Sequence, residues 1–201
     1  MKALPYGDSG LLVEVDGLPE VIALADAVRA APPPGVVDVV PAAGTVLLCL
    51  EPGTDLAAVR RAVLDLPVEP GAASPEGERV EIEVVYDGPD LEEVGELTGL
   101  GADGVVEAHT RTPWRSAFSG FAPGFAYLVG GDPRLHVARR RESRTSVPAG
   151  AVALAGGFSG VYPRSSPGGW QLIGRTDAEL WNIDRGALVT PGCTVVFKAV
   201  G

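Results

Sequence analysis

The sequence predicts a chain in two parts, a small α+β module followed by a mainly β domain. Three observations predict this division. Helix and strand periodicities alternate up to about residue 68, and a segment rich in Pro, Gly and Ser follows at residues 69–79. Beyond about residue 110, short β-like runs separated by turn residues replace helical periodicity. We therefore predict domains at residues 1–68 and 80–201, the second a closed or nearly closed β structure.

In the first module, apolar spacing defines each element. Val21, Leu24 and Val28 recur at helical spacing, and the PPPG run after them stops the helix. Asp55 stands where an N-cap is expected. The predicted elements are a strand at residues 11–15, a helix at 19–31, an antiparallel strand pair at 36–41 and 45–51, and a helix at 55–66.

The second domain begins with an alternating strand and two short helices. Asp90 is the expected N-cap of the first helix, and Gly99 ends it. The predicted elements are a strand at residues 80–86, helices at 90–99 and about 102–109, and β runs at 114–121, 146–157, 170–181 and 193–200.

Composition excludes several classes of protein. The net charge of -10 disfavours nucleic-acid binding, and no apolar run is long enough to span a membrane. Cys49 and Cys193 lie far apart in apolar runs without metal-ligand spacing, so we expect buried thiols and no metal site. We expect a soluble cytoplasmic protein.

One window opposes the overall acidity. Between Arg134 and Arg175 the chain carries seven arginines against a single acid, Glu142, a local charge of +6. This cationic window predicts an anionic small molecule or an acidic partner surface. The alternative is that its arginines pair with acids elsewhere on the surface.

Two glycine-rich segments are the candidate binding loops. The first, FSGFAPGFAYL at residues 118–128, holds a proline and glycines that weaken an ordinary central strand. The second, at residues 155–176, combines six glycines with Tyr162 and Trp170. Either segment could be a barrel corner with aromatic rings packed beneath it. Together they predict a small-molecule or peptide site, since glycine permits close approach of a ligand to the backbone.

Familiar catalytic sets are missing from the sequence. It has no GxSxG elbow, and neither glycine-rich segment carries GxxxxGK[ST] or a GxGxxG placed between a strand and a helix. His109, near the end of a predicted helix, serves either as a structural cap or in function, and we expect His136 in a surface loop.

Ordered motifs across residues 91–197 resemble a known family. The runs GFAPGFAYL, DPRL, VPAG, GVYP and SPGGWQLIGRT resemble allophanate hydrolase subunit 1, or KipI, a family associated with the B subunit of the bacterial ATP-dependent 5-oxoprolinase. The resemblance implies a ferredoxin-like N-terminal module and a cyclophilin-like β-barrel. It also implies ATP as cofactor of the complex, with the subunit that binds it left open. The implied partners are the C subunit of 5-oxoprolinase, which is KipA-like or allophanate hydrolase subunit 2-like, and the A subunit.

The implied activity is ATP-driven opening of 5-oxoproline to glutamate, a hydrolase reaction in which this chain is not active alone. The resemblance and the cationic window together name His109, Arg144 and Arg175 as catalytic candidates. The substrate-binding candidates are Phe121, Pro123, Gly124, Phe125, Tyr127, Arg141, Tyr162, Ser166, Gly168, Gly169 and Trp170. We expect the two glycine-rich segments to form opposite walls of a cleft bordered by Arg144 and Arg175.

Two other functions stay open at this point. One is a regulatory protein that inhibits a sensor histidine kinase, and the other is a component of a urea carboxylase and allophanate hydrolase system. Phe158 and Ser159 stand where the family typically has Gln and Thr. The Gln amide that could recognise a lactam or urea group is therefore missing at this position, and the identity of the substrate stays open.

Overall fold

The computed structural model describes residues 1–69 and 77–201. The chain forms two compact units, Met1–Pro75 and Glu76–Gly201. The predicted linker at residues 69–79 falls largely outside the described residues, so its position stays a prediction. Among the described helices, none combines the length and apolar character needed to cross a membrane.

The first unit is a four-stranded antiparallel sheet with two helices. Its elements are β1 Lys2–Pro5, β2 Gly10–Glu14, α1 Leu18–Ala30, β3 Val36–Pro41, β4 Thr45–Leu50 and α2 Leu56–Leu64. The strand order is β1-β2-β4-β3. Helix α1 buries Val21, Leu24 and Val28 as predicted. Asp55 caps α2 by accepting the backbone N–H groups of Ala57 and Ala58.

The ferredoxin-like arrangement implied for this unit is not confirmed. A ferredoxin-like module is a β-α-β-β-α-β unit, whose last strand follows the second helix. Here the strand beside β2 is β1, which precedes all the others, and residues 65–69 after α2 form no strand. The sequence did not predict β1 because its four residues KALP are short and end in proline.

The second unit is mainly β, as predicted. Its first elements are β5 Arg79–Val84, α3 Leu91–Thr98, α4 Gly101–Arg111, β6 Trp114–Ser119, β7 Ala126–Val129 and a 3₁₀ turn Pro133–Leu135. Its remaining elements are β8 Arg144–Val147, β9 Ala151–Ala155, β10 Phe158–Val161, β11 Ser166–Gly168, β12 Gln171–Arg175, β13 Trp181–Asn182, β14 Gly186–Ala187 and β15 Thr194–Ala199.

Seven of these strands form a barrel-like sheet that is nearly closed. The order is β12-β9-β10-β7-β6-β15-β5, so β12 and β5 are the two edges. Just beyond β5, Val85 and Arg175 exchange two backbone hydrogen bonds of 2.9 Å and join these edges. A Cβ added to Gly174 would lie 2.6 Å from the Val85 carbonyl oxygen, so the seam requires glycine there.

The two faces of β9 pack against different clusters. Val152 and Leu154 belong to the main core, whereas Ala151, Ala153 and Ala155 face an aromatic cluster. Alternate side chains of a strand point to opposite faces, so one buried strand serves both clusters. The small alanine side chains leave room for aromatic rings on the second face.

Candidate functional site

A buried carboxylate holds two arginines of the cationic window. Asp90 is 2% exposed, and its Oδ1 accepts hydrogen bonds of 2.7 Å from both Arg140 Nη1 and Arg144 Nη2. Its Oδ2 accepts the backbone N–H of Leu172, also at 2.7 Å. Helix α3 begins directly after Asp90, but the predicted capping bond is absent because the side chain is used by these partners.

The arginines held by Asp90 retain unused donors. Arg140 Nε and Arg144 Nη1 are buried, and neither has a hydrogen-bond partner among the described residues. The two guanidinium groups share the buried carboxylate of Asp90. In addition, Glu93 Oε2 lies 3.7 Å from Arg140 Nη1. A partly buried cation that shares its acceptor with a second cation favours an anion beside it.

Arg140 lines an open cavity of about 570 Å³, which we call the arginine cavity. Its lining consists of Glu93, Leu97, His136, Val137, Ala138, Arg139, Arg140, Arg141, Glu142 and Gln171. The lining includes three arginines and two glutamates, and the arginines are consecutive in the sequence, at residues 139–141. The run is positioned by the backbone hydrogen bond from Arg140 N to Gly169 O, at 2.8 Å.

Gln171 is the most buried polar residue of this cavity. It is 3% exposed, and its Nε2 donates to the backbone oxygen of Ala138 at 3.3 Å. Its Oε1 is buried without a partner among the described residues. Burial of an amide oxygen without a hydrogen bond costs free energy. An unpaired acceptor in a residue that lines a cavity therefore indicates a position for a hydrogen-bond donor of a ligand.

The first glycine-rich segment forms the turn between β6 and β7. Phe121 has a left-handed φ of 68° and is 58% exposed. A non-glycine residue in this conformation costs about 1–3 kcal/mol, and such strain clusters at functional sites. Gly124 has a φ of 85°, and a Cβ there would lie 2.6 Å from Trp181 Cβ.

The predicted cleft between the two glycine-rich segments is filled by aromatic rings. The Phe125 ring lies edge-on to Tyr127, Tyr162 and Trp170, with centroids 5.1 to 5.5 Å apart. The two segments are therefore neighbours, but they pack directly against each other instead of forming the opposite walls of the predicted cleft. The guanidinium carbon of Arg139 lies 5.9 Å from the centroid of Trp170, which connects this aromatic cluster to the arginine cavity.

The glycines of the second segment allow close packing. A Cβ on Gly168 would lie 2.3 Å from the Tyr162 hydroxyl oxygen, and one on Gly169 would lie 2.8 Å from Ser143 Oγ. Burial raises the pKa of Tyr162. Ser166 in β11 has a buried Oγ without a partner among the described residues.

His109 lies inside the barrel core and has no exposed surface. Its Nδ1 is 2.7 Å from the Tyr86 hydroxyl, its Nε2 is 2.8 Å from Ser159 Oγ, and its ring stacks on Phe197. Burial lowers its pKa to about 3, so the ring is neutral near pH 7. This geometry supports a structural role for His109, but as a neutral core residue and not as the helix cap that was considered. A substrate could not reach either ring nitrogen without displacing a core partner.

Arg175 is separated from the arginine cavity. Its Nε donates to Asp87 Oδ2 at 2.9 Å, and its side chain is 58% exposed. It lines a different cavity of about 410 Å³, together with Glu81, Glu83, Asp177 and Lys198 among others. Arg144 lines neither of these two cavities and Arg175 lines only the second, so neither cavity brings the two arginines together.

The sequence analysis missed several residues of the arginine cavity. His136 is exposed, as predicted, and also lines this cavity. Asp90, expected to be a cap, lies outside the lining and holds Arg140 and Arg144. Arg139, Arg140 and Gln171 were not selected, although all three lie between Arg134 and Arg175, the bounds of the cationic window. Gln171 lies in the second glycine-rich segment and in the SPGGWQLIGRT motif, but neither distinguishes it from its neighbours, because its importance arises from its burial. The potential metal ligands among the described residues form no cluster that could hold an ion.

Comparison with known proteins gives consistent matches. The chain matches the family model for the carboxyltransferase domain, subdomain C and D, over residues 1–190. It is 45% identical over 134 residues to a protein from Escherichia coli O157:H7 that is named as the B subunit of 5-oxoprolinase. That alignment covers 64% of this chain and 62% of the relative, so the chain spans less than two thirds of that protein's length.

Solved structures share the fold. The uncharacterized protein PH0987 from Pyrococcus horikoshii is 35% identical with a TM-score of 0.59, covering 99% of this chain and 97% of that chain. The Kluyveromyces lactis urea amidolyase is 18% identical with a TM-score of 0.68, covering 98% of this chain and 15% of that chain. The second likeness concerns the fold alone.

Proposed function

The chain belongs to the family of the carboxyltransferase domain, subdomain C and D, and from this premise we propose that it is the B subunit of an ATP-dependent 5-oxoprolinase. The observation that carries the proposal is its 45% identity to a protein of that name. We propose that its barrel is the cyclophilin-like domain of that subunit and that the complex works in the cytoplasm.

The proposed reaction opens a five-membered lactam. Water supplies the oxygen that becomes the new carboxylate, the ring C–N bond breaks, and ATP is hydrolysed to ADP and phosphate. A carboxylate substrate and a phosphoryl group both require cations and N–H donors. In this proposal, the arginine cavity supplies cations to the composite site, while the subunit that binds ATP stays open.

The chain is proposed to act only with its partners, the C and A subunits of the same enzyme. The whole sequence contains no GxxxxGK[ST] loop. Its two histidines are a core residue, His109, and an exposed one, His136. A general base is therefore assigned to no residue of this chain.

Reconstitution tests the proposal. The chain is co-expressed with the two candidate partner subunits, and ADP release is measured with and without 5-oxoproline. We expect 5-oxoproline-dependent ADP release only when all three are present. Release that depends on urea, or inhibition of a sensor kinase without any 5-oxoproline turnover, would support one of the two other functions instead.

A further inference from the structure

The orientation of the Gln171 amide follows from its neighbour. The Ala138 carbonyl oxygen can only accept a hydrogen bond, so the Gln171 amide nitrogen must face it. The Oε1 end is then directed away from this partner and is a buried acceptor with no partner among the described residues, in a side chain that lines the arginine cavity. A ligand that satisfies it must present a donor.

The same cavity offers a cation whose position is fixed. Asp90 holds Arg140 by a 2.7 Å bond to Nη1, which leaves its buried Nε unused. Arg139 and Arg141 flank it with exposed side chains. Glu93 and Glu142 also line the cavity and compete for these cations, so an anion must be positioned well to bind.

We propose that the arginine cavity recognises a carboxylate whose neighbouring atom carries a neutral N–H, with Arg140 and Arg141 binding the carboxylate and Gln171 Oε1 accepting the N–H. This inference rests on the proposed function and deepens it. A lactam amino acid such as 5-oxoproline has this arrangement, because its ring nitrogen is bonded to the carbon that bears the carboxylate. Gln171 would then provide a side-chain amide that is absent at positions 158 and 159, where this chain has Phe and Ser instead of the Gln and Thr typical of the family.

Other anions fit this arrangement less well. A simple carboxylate leaves Gln171 Oε1 without a donor. An open amino acid brings an ammonium group, which one amide oxygen does not compensate and which pairs better with Glu93 or Glu142 of the lining, away from Gln171. The cavity should therefore prefer the lactam to its hydrolysis product, glutamate.

Ligand analogues test the inference on the unaltered full chain. Binding of 5-oxoproline is measured by calorimetry and compared with three probes: 2-pyrrolidone, which lacks the carboxylate, the corresponding lactone acid, which has a ring oxygen in place of the N–H, and glutamate. We expect each change to weaken binding by about tenfold or more, the factor that one lost hydrogen bond to a fixed partner produces.

Variants of Gln171 and Arg140 sharpen the test. Gln171→Leu should bind 5-oxoproline and the lactone acid equally, because the acceptor that distinguishes them is gone. Arg140→Met should lose most of the preference for 5-oxoproline over 2-pyrrolidone. Arg164→Ala is the control, since it removes the same charge from an exposed arginine outside the cavity lining.

The outcomes separate this inference from the proposed function. If the reconstituted complex turns over 5-oxoproline but the lactone acid competes equally well with the native chain, the recognition inference is wrong and the function stands. If the complex shows no turnover while the chain still prefers 5-oxoproline over all three analogues, the site stands and the function is wrong. Tighter binding of glutamate would overturn the assignment of Gln171 to a lactam N–H.

Discussion

Arg140 and Arg144 donate to the same oxygen atom, Asp90 Oδ1, each at 2.7 Å. The shared carboxylate also accepts the Leu172 backbone N–H, so it ties the start of helix α3 to strand β12 and to the cationic window. This carboxylate fixes the geometry of the arginine cavity, since Arg140 lines that cavity directly.

Removal of the shared carboxylate should be strongly destabilising. Asp90→Ala leaves two partly buried cations and one backbone N–H without their acceptor, and we expect a loss of about 3–5 kcal/mol in the free energy of unfolding. Urea denaturation measures it. Glu93→Gln is the matched control, because Glu93 approaches the same Arg140 from an exposed position and should contribute under about 1 kcal/mol. Equal effects of the two changes would contradict this account of Asp90.

The seam of the barrel should not tolerate a side chain at Gly174. A Cβ there would lie 2.6 Å from the Val85 carbonyl oxygen, so Gly174→Ala should lower the unfolding free energy by about 1–3 kcal/mol. Gly157→Ala is the control, because nothing lies within 4 Å of its added Cβ. Thermal melts of both variants decide the point, and a Gly174→Ala protein that melts with the wild type would argue against the closed seam.

Arg175 should matter little for substrate affinity. Its side chain forms an exposed ion pair with Asp87 and lines another cavity, so Arg175→Ala should cost under about 1 kcal/mol of stability. We expect an unchanged KM for 5-oxoproline in the reconstituted complex. A large rise in KM without unfolding would restore the role that the sequence predicted for Arg175.

The buried histidine should make the fold sensitive to acid. Burial lowers the pKa of His109 from 6.5 to about 3, so the unfolded chain binds a proton that the folded chain excludes. Its contribution to stability is complete above pH 6.5 and is lost as the pH falls toward 3, at up to about 1.4 kcal/mol per pH unit.

Replacement of this histidine isolates its share of the acid sensitivity. His109→Gln retains hydrogen-bonding capacity but does not titrate, so its unfolding free energy should fall less steeply between pH 6.5 and 4 than that of the wild type. Urea titrations at several pH values measure the two slopes. Parallel slopes would show that His109 is not buried in its neutral form.

Local patterns in the sequence predicted most elements of the fold, including both helices of the second unit and the cap at Asp55. They failed where a residue acts through distant partners. The DLEEV run has the form of a helix start, yet Asp90 bonds to arginines 50 and 54 residues further along the chain. Similarly, His109 ends a helix in the sequence, but its surroundings come from Tyr86, Ser159 and Phe197.

The prediction of a cleft between the two glycine-rich segments was wrong for a related reason. Aromatic and glycine residues indicate both a ligand wall and a packed corner, and only side-chain volume decides between them. Three alanines on one face of β9 create the space that Phe125, Tyr162 and Trp170 fill. The sequence predicted the arginines as a cationic window. It did not predict the cavity that three of them line, because the wall of that cavity also includes the buried Gln171.

The most direct test of the central claim is the steady-state KM for 5-oxoproline of the reconstituted three-subunit complex carrying Arg141→Ala, compared with Arg164→Ala. Arg141 lines the arginine cavity without pairing to Asp90, so its loss should leave folding intact. We predict that Arg141→Ala raises KM about tenfold or more and that Arg164→Ala leaves it unchanged. Equal KM values for both variants and the wild type would contradict the claim that this cavity contributes to the 5-oxoproline site.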